Sequence, residues 1–545
     1  MSPNADATTP PSTFARGPDL TQGGPTQGDP TQGGRPHDQR ERLLVLAAVC
    51  LSMVALPFNF TGPAVAMPVI AREFGGDPIA LNWITNAFML CFGSSLMVAG
   101  TLADGFGRKR LFLIGQAVFL ATSLALAMAS DLVWLDLLRA LQGGAGAVAF
   151  SAGLAALAQE FDGTARVRAF SLIGTSFGVG LAFGPLLSGL LVETVGWRAI
   201  FLGTAVFSIV AIICGLRFMR ESRDPDAAGL DWPGAASFTA ALTLLTYAVL
   251  LAPERGWDSA EVIGLLAGAV AMMAAFIAIE TRTKRPMLDL SLFRYPRFVG
   301  VQLLAAAPAY SFVVLLILLP LRFVGIEGWG EVGAGWMMMA LCGPMLVVPM
   351  LAALLTRRFS AGTLCGVGLL VVAAGLIWLA QQPPGRSTTA MVPPLLVIGL
   401  GISLPWGLMD ALAVSVVPKE RAGMATGIFS TTRVAGEGIA LAVVAAILAG
   451  LAHTGLQAAT VSADPAALSL AAQHLAMGDL SLAAGTLPQA GQALLIQVYG
   501  EAFHHLLYIL ATITVISALV VFAFLTRTSS EAEPEACLAE MPAAE

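Results

Sequence analysis

The chain has 545 residues, of which 57% are hydrophobic and 12% charged, with 29 Lys and Arg against 35 Asp and Glu for a net charge of -6. Water-soluble domains carry about twice that charged fraction, and a mean hydropathy of +0.78 excludes soluble enzymes, nucleic-acid-binding proteins and disordered scaffolds. The six cysteines lie in apolar runs, apart from Cys537 in an acidic tail, and none forms a C-x-x-C pair, so no disulfide framework or thiolate metal site is expected.

Residues 1–42 are rich in Pro, Gly, Thr and Gln and hold a short repeat, Thr21-Gln22-Gly23-Gly24, Thr26-Gln27-Gly28 and Thr31-Gln32-Gly33-Gly34. Such a segment buries too little apolar surface to order itself and is expected to be a disordered tail. It also lacks the early apolar run of a cleavable signal. A hydrocarbon core about 30 Å thick needs about 20 apolar residues in a helix, and runs of that length follow one another along the chain. They fall at Leu43–Ala71, Ile79–Leu102, Leu111–Ala129, Leu132–Ala158, Ala169–Val192, Ala199–Met219, Gly234–Leu251, Val262–Ile279, Phe298–Leu321, Gly333–Leu355, Gly362–Ala380, Met391–Val417, Gly423–Leu451 and Ala502–Leu525. An all-α integral membrane protein with fourteen spans is expected. Its divisions are the tail 1–42, a six-helix half 43–219, a loop and two-helix insert 220–297, a second six-helix half 298–525, and an acidic tail 526–545.

Cytoplasmic loops retain an excess of Lys and Arg. With the N-terminal tail inside, Arg72, Arg198, Arg255, Arg322 and Arg386 fall outside, Arg139 and Arg433 fall within spans, and the remaining 22 basic residues are inside. A missed or invented span would scramble this asymmetry from that point onward, and it holds to the end. The expected location is the cytoplasmic membrane, with both termini in the cytoplasm. The one long external connection, 452–501, has Ala- and Leu-rich stretches that suit a helix lying on the membrane surface.

Three motifs stand out. At the inner end of the second span, Gly100-Thr101-Leu102-Ala103-Asp104-Gly105-Phe106-Gly107-Arg108-Lys109-Arg110 is a glycine-containing turn in which Asp104 and Arg108 can form a polar latch. In the fourth span, Arg139-Ala140-Leu141-Gln142-Gly143 puts a guanidinium inside the membrane, where it is expensive unless paired or wet. Asp136, three residues earlier, can reach it as a helix-local ion pair. In the fifth, Gly180, Gly184, Pro185 and Gly189 form a small-residue stripe with a proline kink, suited to close packing and to a seal that opens and closes.

Together these resemble the major facilitator superfamily: the turn resembles its G-x-L-a-D-r-x-G-r-k signature, with Gly105 where a basic residue is usual, the fourth span its R-x-x-Q-G element, and the fifth its G-x-x-x-G-P-x-x-G-G antiporter element. Trp83-Ile84-Thr85-Asn86-Ala87-Phe88, Trp197-Arg198-Ala199-Ile200-Phe201, Asp231-Trp232-Pro233-Gly234, Arg421-Ala422-Gly423 and Thr432-Arg433 resemble the fourteen-span drug/proton antiporters, the EmrB/QacA-like branch. That resemblance implies the major facilitator fold, a substrate cavity between the halves, alternating access and proton-driven efflux of drugs, with antibiotic resistance as the outcome. One departure concerns coupling. Aligning Ala66-Met67-Pro68 with the branch's A-L-P places Asn59 where its helix-one acid is expected, with Thr61 in place.

Coupling must then be sought elsewhere. Asp410 and Glu437 are the acids within the later spans, with Arg433 one turn before Glu437. An ionised carboxylate in hydrocarbon costs several kcal/mol, which favours proton uptake; the alternatives are a fixed Arg433–Glu437 pair and a hydrated Asp410. Proton-coupling candidates are therefore Asp410, Glu437, Arg139 and Arg433, and cavity candidates are Asn59, Thr61, Asn86, Gln116 and Trp406. The expected function is export of lipophilic, cationic small molecules in exchange for protons. Export of an endogenous metabolite or lipid-like compound is a second reading, and a non-transporting membrane sensor a third. Small molecules, protons and lipid are the expected partners, with a periplasmic adaptor in a double-membrane cell and no nucleic acid. No nucleophile–base set, metal cluster or phosphate-cradling Gly-Lys-Ser/Thr loop is found, so neither enzymatic activity nor a cofactor is expected.

Overall fold

The computed structural model describes residues 39–75, 78–161, 163–223, 231–283, 288, 290–382, 388–416, 422–460 and 464–526. In hydrocarbon the backbone finds no water to bond, so a spanning segment must satisfy its own amides; the described residues accordingly form helices and no strand. In chain order these are α1 (Gln39–Phe74), α2 (Pro78–Phe106), α3 (Arg108–Ala127), α4 (Leu132–Glu160), α5 (Gly163–Thr194), α6 (Arg198–Phe218), α7 (Trp232–Arg255), α8 (Ala260–Arg282), α9 (Pro296–Ile326), α10 (Glu331–Leu355), α11 (Ala361–Ala380), α12 (Thr388–Ser415), α13 (Ala422–Ala459), α14 (Pro465–Ala476), α15 (Leu480–Thr486) and α16 (Gln492–Leu525). Thirteen are long and apolar enough, over described residues, to cross a membrane. The fourteenth is α2, whose 29 residues reach about 43 Å at 1.5 Å per residue.

Alternating spans bring Gln39 at the start of α1 and Leu525 at the end of α16 to one face, the terminus face; the opposite one is the loop face. Most helices overrun their apolar runs, because a helix continues into the interface where polar residues are tolerated. Side chains cap several ends: Asp131 accepts from the Trp134 amide, Asp231 from Gly234, Ser259 from Val262 and Ser360 from Thr363.

In the first half α4 packs on α2 and α3, and α1 packs on α5 and α6. In the second, α11 lies between α12 and α16, and α9 packs along α16. The halves meet along two seams, α5 against α10 and α2 against α13. The two-helix insert α7–α8 leans on the α2–α13 seam through α7, while α8 buries only Val262, Ala269, Phe276 and Glu280.

The long connection 452–501 departs from expectation. α13 continues to Ala459, α16 starts at Gln492 rather than Ala502, and α14 and α15 fold between them. Leu468, Ala471, Ala472, Leu475 and Ala476 make a helical stripe that is buried against the bundle rather than lying on the membrane. Its apolar side finds a better partner in α13 than in the headgroup layer. Gly478 closes the turn at φ 73°, and a Cβ there would stand 2.6 Å from the Leu321 carbonyl oxygen. Beneath it Arg322, one of the basic residues expected on the outer side, is 2% exposed and donates to Glu327 at 2.7 Å.

The small-residue stripe of α5 faces two ways. Gly180 and Gly184 pack on α1, where an added Cβ would lie 2.5 Å from the Val54 carbonyl and 2.8 Å from the Thr61 hydroxyl. Gly189 meets Glu331 of α10 across the seam, and Gly335 of α10 meets Leu186. Gly100 has nothing within 4 Å. Gly180→Val is therefore expected to cost about 1–3 kcal/mol through overpacking, read as a lower thermal midpoint of purified protein, whereas Gly100→Ala should leave the midpoint unchanged or slightly raised.

Candidate functional site

The first half is built around Arg139, which is 0% exposed. Its Nε donates to the Ile84 carbonyl at 2.8 Å, and its Nη1 to Asn59 Oδ1 at 2.6 Å and Gln142 Oε1 at 2.8 Å. Gln142 passes the chain on to Ser123 at 2.8 Å, and Thr204 of α6 donates to the same hydroxyl at 3.2 Å. The guanidinium stacks over Phe88 with its carbon 4.3 Å from the ring centroid, a cation–π contact. Five helices thus converge on one charge. Asp136 acts on Arg139 coulombically from the preceding turn, but the short bonds go to neutral oxygens on α1, α2 and α4.

The other cavity candidates in this half bond elsewhere, Thr61 and Asn86 within their own helices and Gln116 across to a neighbouring one. Thr61 donates to its own helix at Pro57, Asn86 to Asn82, and Gln116 to Ser52 of α1 at 2.7 Å. Only Asn59 joins the arginine. Ser123 and Thr204 carried no cue in the sequence, since isolated hydroxyls are common in membrane helices.

The second half carries a more open group. Arg433 of α13 lies 3.4 Å from Asp410 of α12, with the aspartate side chain 61% exposed and the arginine 15%. The guanidinium carbon is 5.8 Å from the Trp406 ring and 5.5 Å from Phe429. Trp406 stacks on Phe177 of α5 at 6.2 Å and meets Phe312 of α9 edge-on at 6.1 Å, so it bridges the halves. Glu437 follows Arg433 by one helical turn and is buried. Its neighbour Gly438 faces Met89 of α2, and Gly436 faces Ala306 of α9, which puts the glutamate backbone at the α2–α13 seam. Asp410 rather than Glu437 is thus the carboxylate at salt-bridge distance from Arg433.

At the turn between α2 and α3, Gly107 has φ 109°, where only glycine sits without strain. Glu221, beyond the end of α6, accepts from the Lys109 and Arg110 amides at 3.2 Å each and lies 3.5 Å from Arg110 Nε. The Arg108 amide donates to the Ser222 carbonyl at 2.9 Å. This clasp holds the basic cluster to α6 of the same half. The Asp104 side chain, the other member of the expected latch, lies outside the described residues, as do Arg386 and Arg421. Glu221 was missed because its partner is 112 residues away.

Among proteins of known identity, the chain is 31% identical over 486 residues to a probable actinorhodin transporter of Streptomyces coelicolor, covering 85% of this chain and 80% of that one. It is also 31% identical over 413 residues to the multidrug resistance protein Stp of Mycobacterium tuberculosis, covering 75% and 76%. Among solved structures it is similar to a bacterial homologue of the human lysosomal transporter Spinster, in an inward-facing and unoccupied conformation, with TM-score 0.61, 16% identity and coverage of 90% and 98%; at that identity the likeness concerns the fold. Residues 48–441 match the family described as the Major Facilitator Superfamily. With its helices in two six-helix bundles and a two-helix insert, the chain belongs to that superfamily and is a membrane transporter rather than an enzyme.

Proposed function

We propose that this protein exports lipophilic small molecules across the cytoplasmic membrane in exchange for protons, by alternating access between its halves. The observation that carries the reading is the position of Glu437, a buried acid on α13 whose flanking glycines touch α2 of one half and α9 of the other. A charged carboxylate in such a place costs several kcal/mol, and a protonated one far less. Proton gain or loss there therefore favours one arrangement of the seam over the other. Asp410 and Arg433 lie on the more accessible side of the same bundle and suit the first exchange of protons with water. Acidic groups in this half also favour a cationic substrate, which would compete with protons for them.

Relatives named as an actinorhodin transporter and a multidrug resistance protein support export of drug-like compounds. The first name also favours a second reading, in which the natural cargo is a secondary metabolite of the producing cell. Energetically, one charge crossing about 100 mV is worth about 2.3 kcal/mol. Exchange of one proton for one monovalent cation is electrically silent, so the pH gradient alone would drive it.

Two outcomes are expected. In proteoliposomes with an imposed proton gradient, Glu437→Gln should lose gradient-driven efflux by about tenfold or more. Asp410→Asn, which breaks an exposed pair worth at most about 1 kcal/mol, should lose about fivefold or less. The reverse ranking, or full activity in both, would move coupling away from α13. For orientation, on a background without native cysteines, a membrane-impermeant maleimide should label Asp258→Cys in intact cells and Arg223→Cys only after permeabilisation; the opposite pattern would invert the protein in the membrane.

A further inference from the structure

Arg139 offers more hydrogen-bond donors than its surroundings accept. Of its five N–H groups, the structure assigns three, to Ile84, Asn59 and Gln142. Nη2, with two hydrogens, has no partner. Asn59 is 0% exposed and accepts from the guanidinium Nη1 through Oδ1, and its amide nitrogen Nδ2 also has no partner. Thr85, next to the residue whose carbonyl binds Nε, is 2% exposed with an unpartnered hydroxyl. Two unpartnered donors, Nη2 and Nδ2, thus belong to a directly hydrogen-bonded pair of buried side chains, and the oxygens that the guanidinium bonds are all neutral. The face of Phe88 and the charge of Asp136 offset part of its charge but accept neither Nη2 nor Nδ2. A water molecule carries no charge and has only two lone pairs. A small anion answers both the charge and the donors.

We propose that Arg139, Asn59 and Thr85 form an occluded site for a small anion, either chloride or the carboxylate of an organic acid. Arg139 supplies charge and Nη2 donors, Asn59 supplies Nδ2, and the Thr85 hydroxyl completes the cradle. An asparagine at position 59 is what makes the site possible: an aspartate there would itself be the anion, 2.6 Å from the guanidinium by the present Oδ1 contact. The site stands apart from proton exchange at Glu437, and an anionic group on a substrate would meet it in the half opposite the acids.

The test is thermal unfolding of the full-length protein in nanodiscs, in sodium sulfate, whose large, strongly hydrated dianion does not match a site for a small monovalent anion, with the anion replaced at constant ionic strength by chloride or by benzoate. Chloride or benzoate at saturating concentration should raise the wild-type midpoint by about 2–4 °C, as expected for a ligand bound by the folded state alone. Asn59→Asp should abolish the shift while eluting as a monodisperse protein. Asn59→Ala, which removes one donor without adding charge, should require about tenfold more anion for the same shift. A response to chloride identifies an inorganic anion site, and a response to benzoate alone identifies a carboxylate site. No shift with either anion, or equal shifts in wild type and both variants, would overturn the proposal. Because the readout is binding, it is unaffected by whether proton-driven export occurs.

Discussion

A guanidinium sealed from the surface sets the terms for the first half of this molecule. In hydrocarbon, a charge and its donors must find oxygens or aromatic faces within the protein, because removing one partner of a buried charge costs about 3–5 kcal/mol. Arg139 finds them on α1, α2 and α4, and the chain of bonds continues through Gln142 and Ser123 to α6. Those helices are consequently held in one register, and the half can move as a unit. The same constraint, applied to the backbone, makes each spanning element a helix.

With each half internally braced, movement is left to the seams. There the contacts are small: Gly189 and Gly335 on α5 and α10, Gly438 on α13 facing α2. Backbones approach closely at such positions and bind through packing rather than through buried ion pairs, so little must be broken for the halves to part. Trp406, lying between Phe177 and Phe312, adds an aromatic bridge that can slide. Stiff bundles joined by smooth contacts suit alternating access.

The two intramembrane arginines illustrate how similar residues acquire different roles. Arg139 is sealed, bonded to neutral groups and stacked on Phe88. Arg433 is partly exposed and sits beside an acid, with a second acid one turn onward. The first half therefore presents positive potential at its core and the second presents titratable carboxyls. An export cycle that exchanges protons in one half and accepts an anion in the other would use both, and the two can be probed independently.

Span number, helix type and the family motifs were legible in the sequence because membrane burial imposes long apolar runs and glycine-rich turns need particular residues at fixed spacing. Arg139 announced itself by being charged within a span, and Gln142 by its motif. What lay beyond reach were the pairings between distant segments. Glu221 clasps a turn 112 residues earlier, Ser123 and Thr204 join the arginine network, and α14 buries its apolar stripe on α13 instead of in lipid. The local sequence of Arg433 suited Glu437 as a partner, yet Asp410 on a neighbouring helix stands at 3.4 Å. Local composition decides whether a segment enters the bilayer, since that is a transfer free energy summed along the segment. Which side chain meets which depends on helix rotation and crossing, and those are settled only when the helices pack.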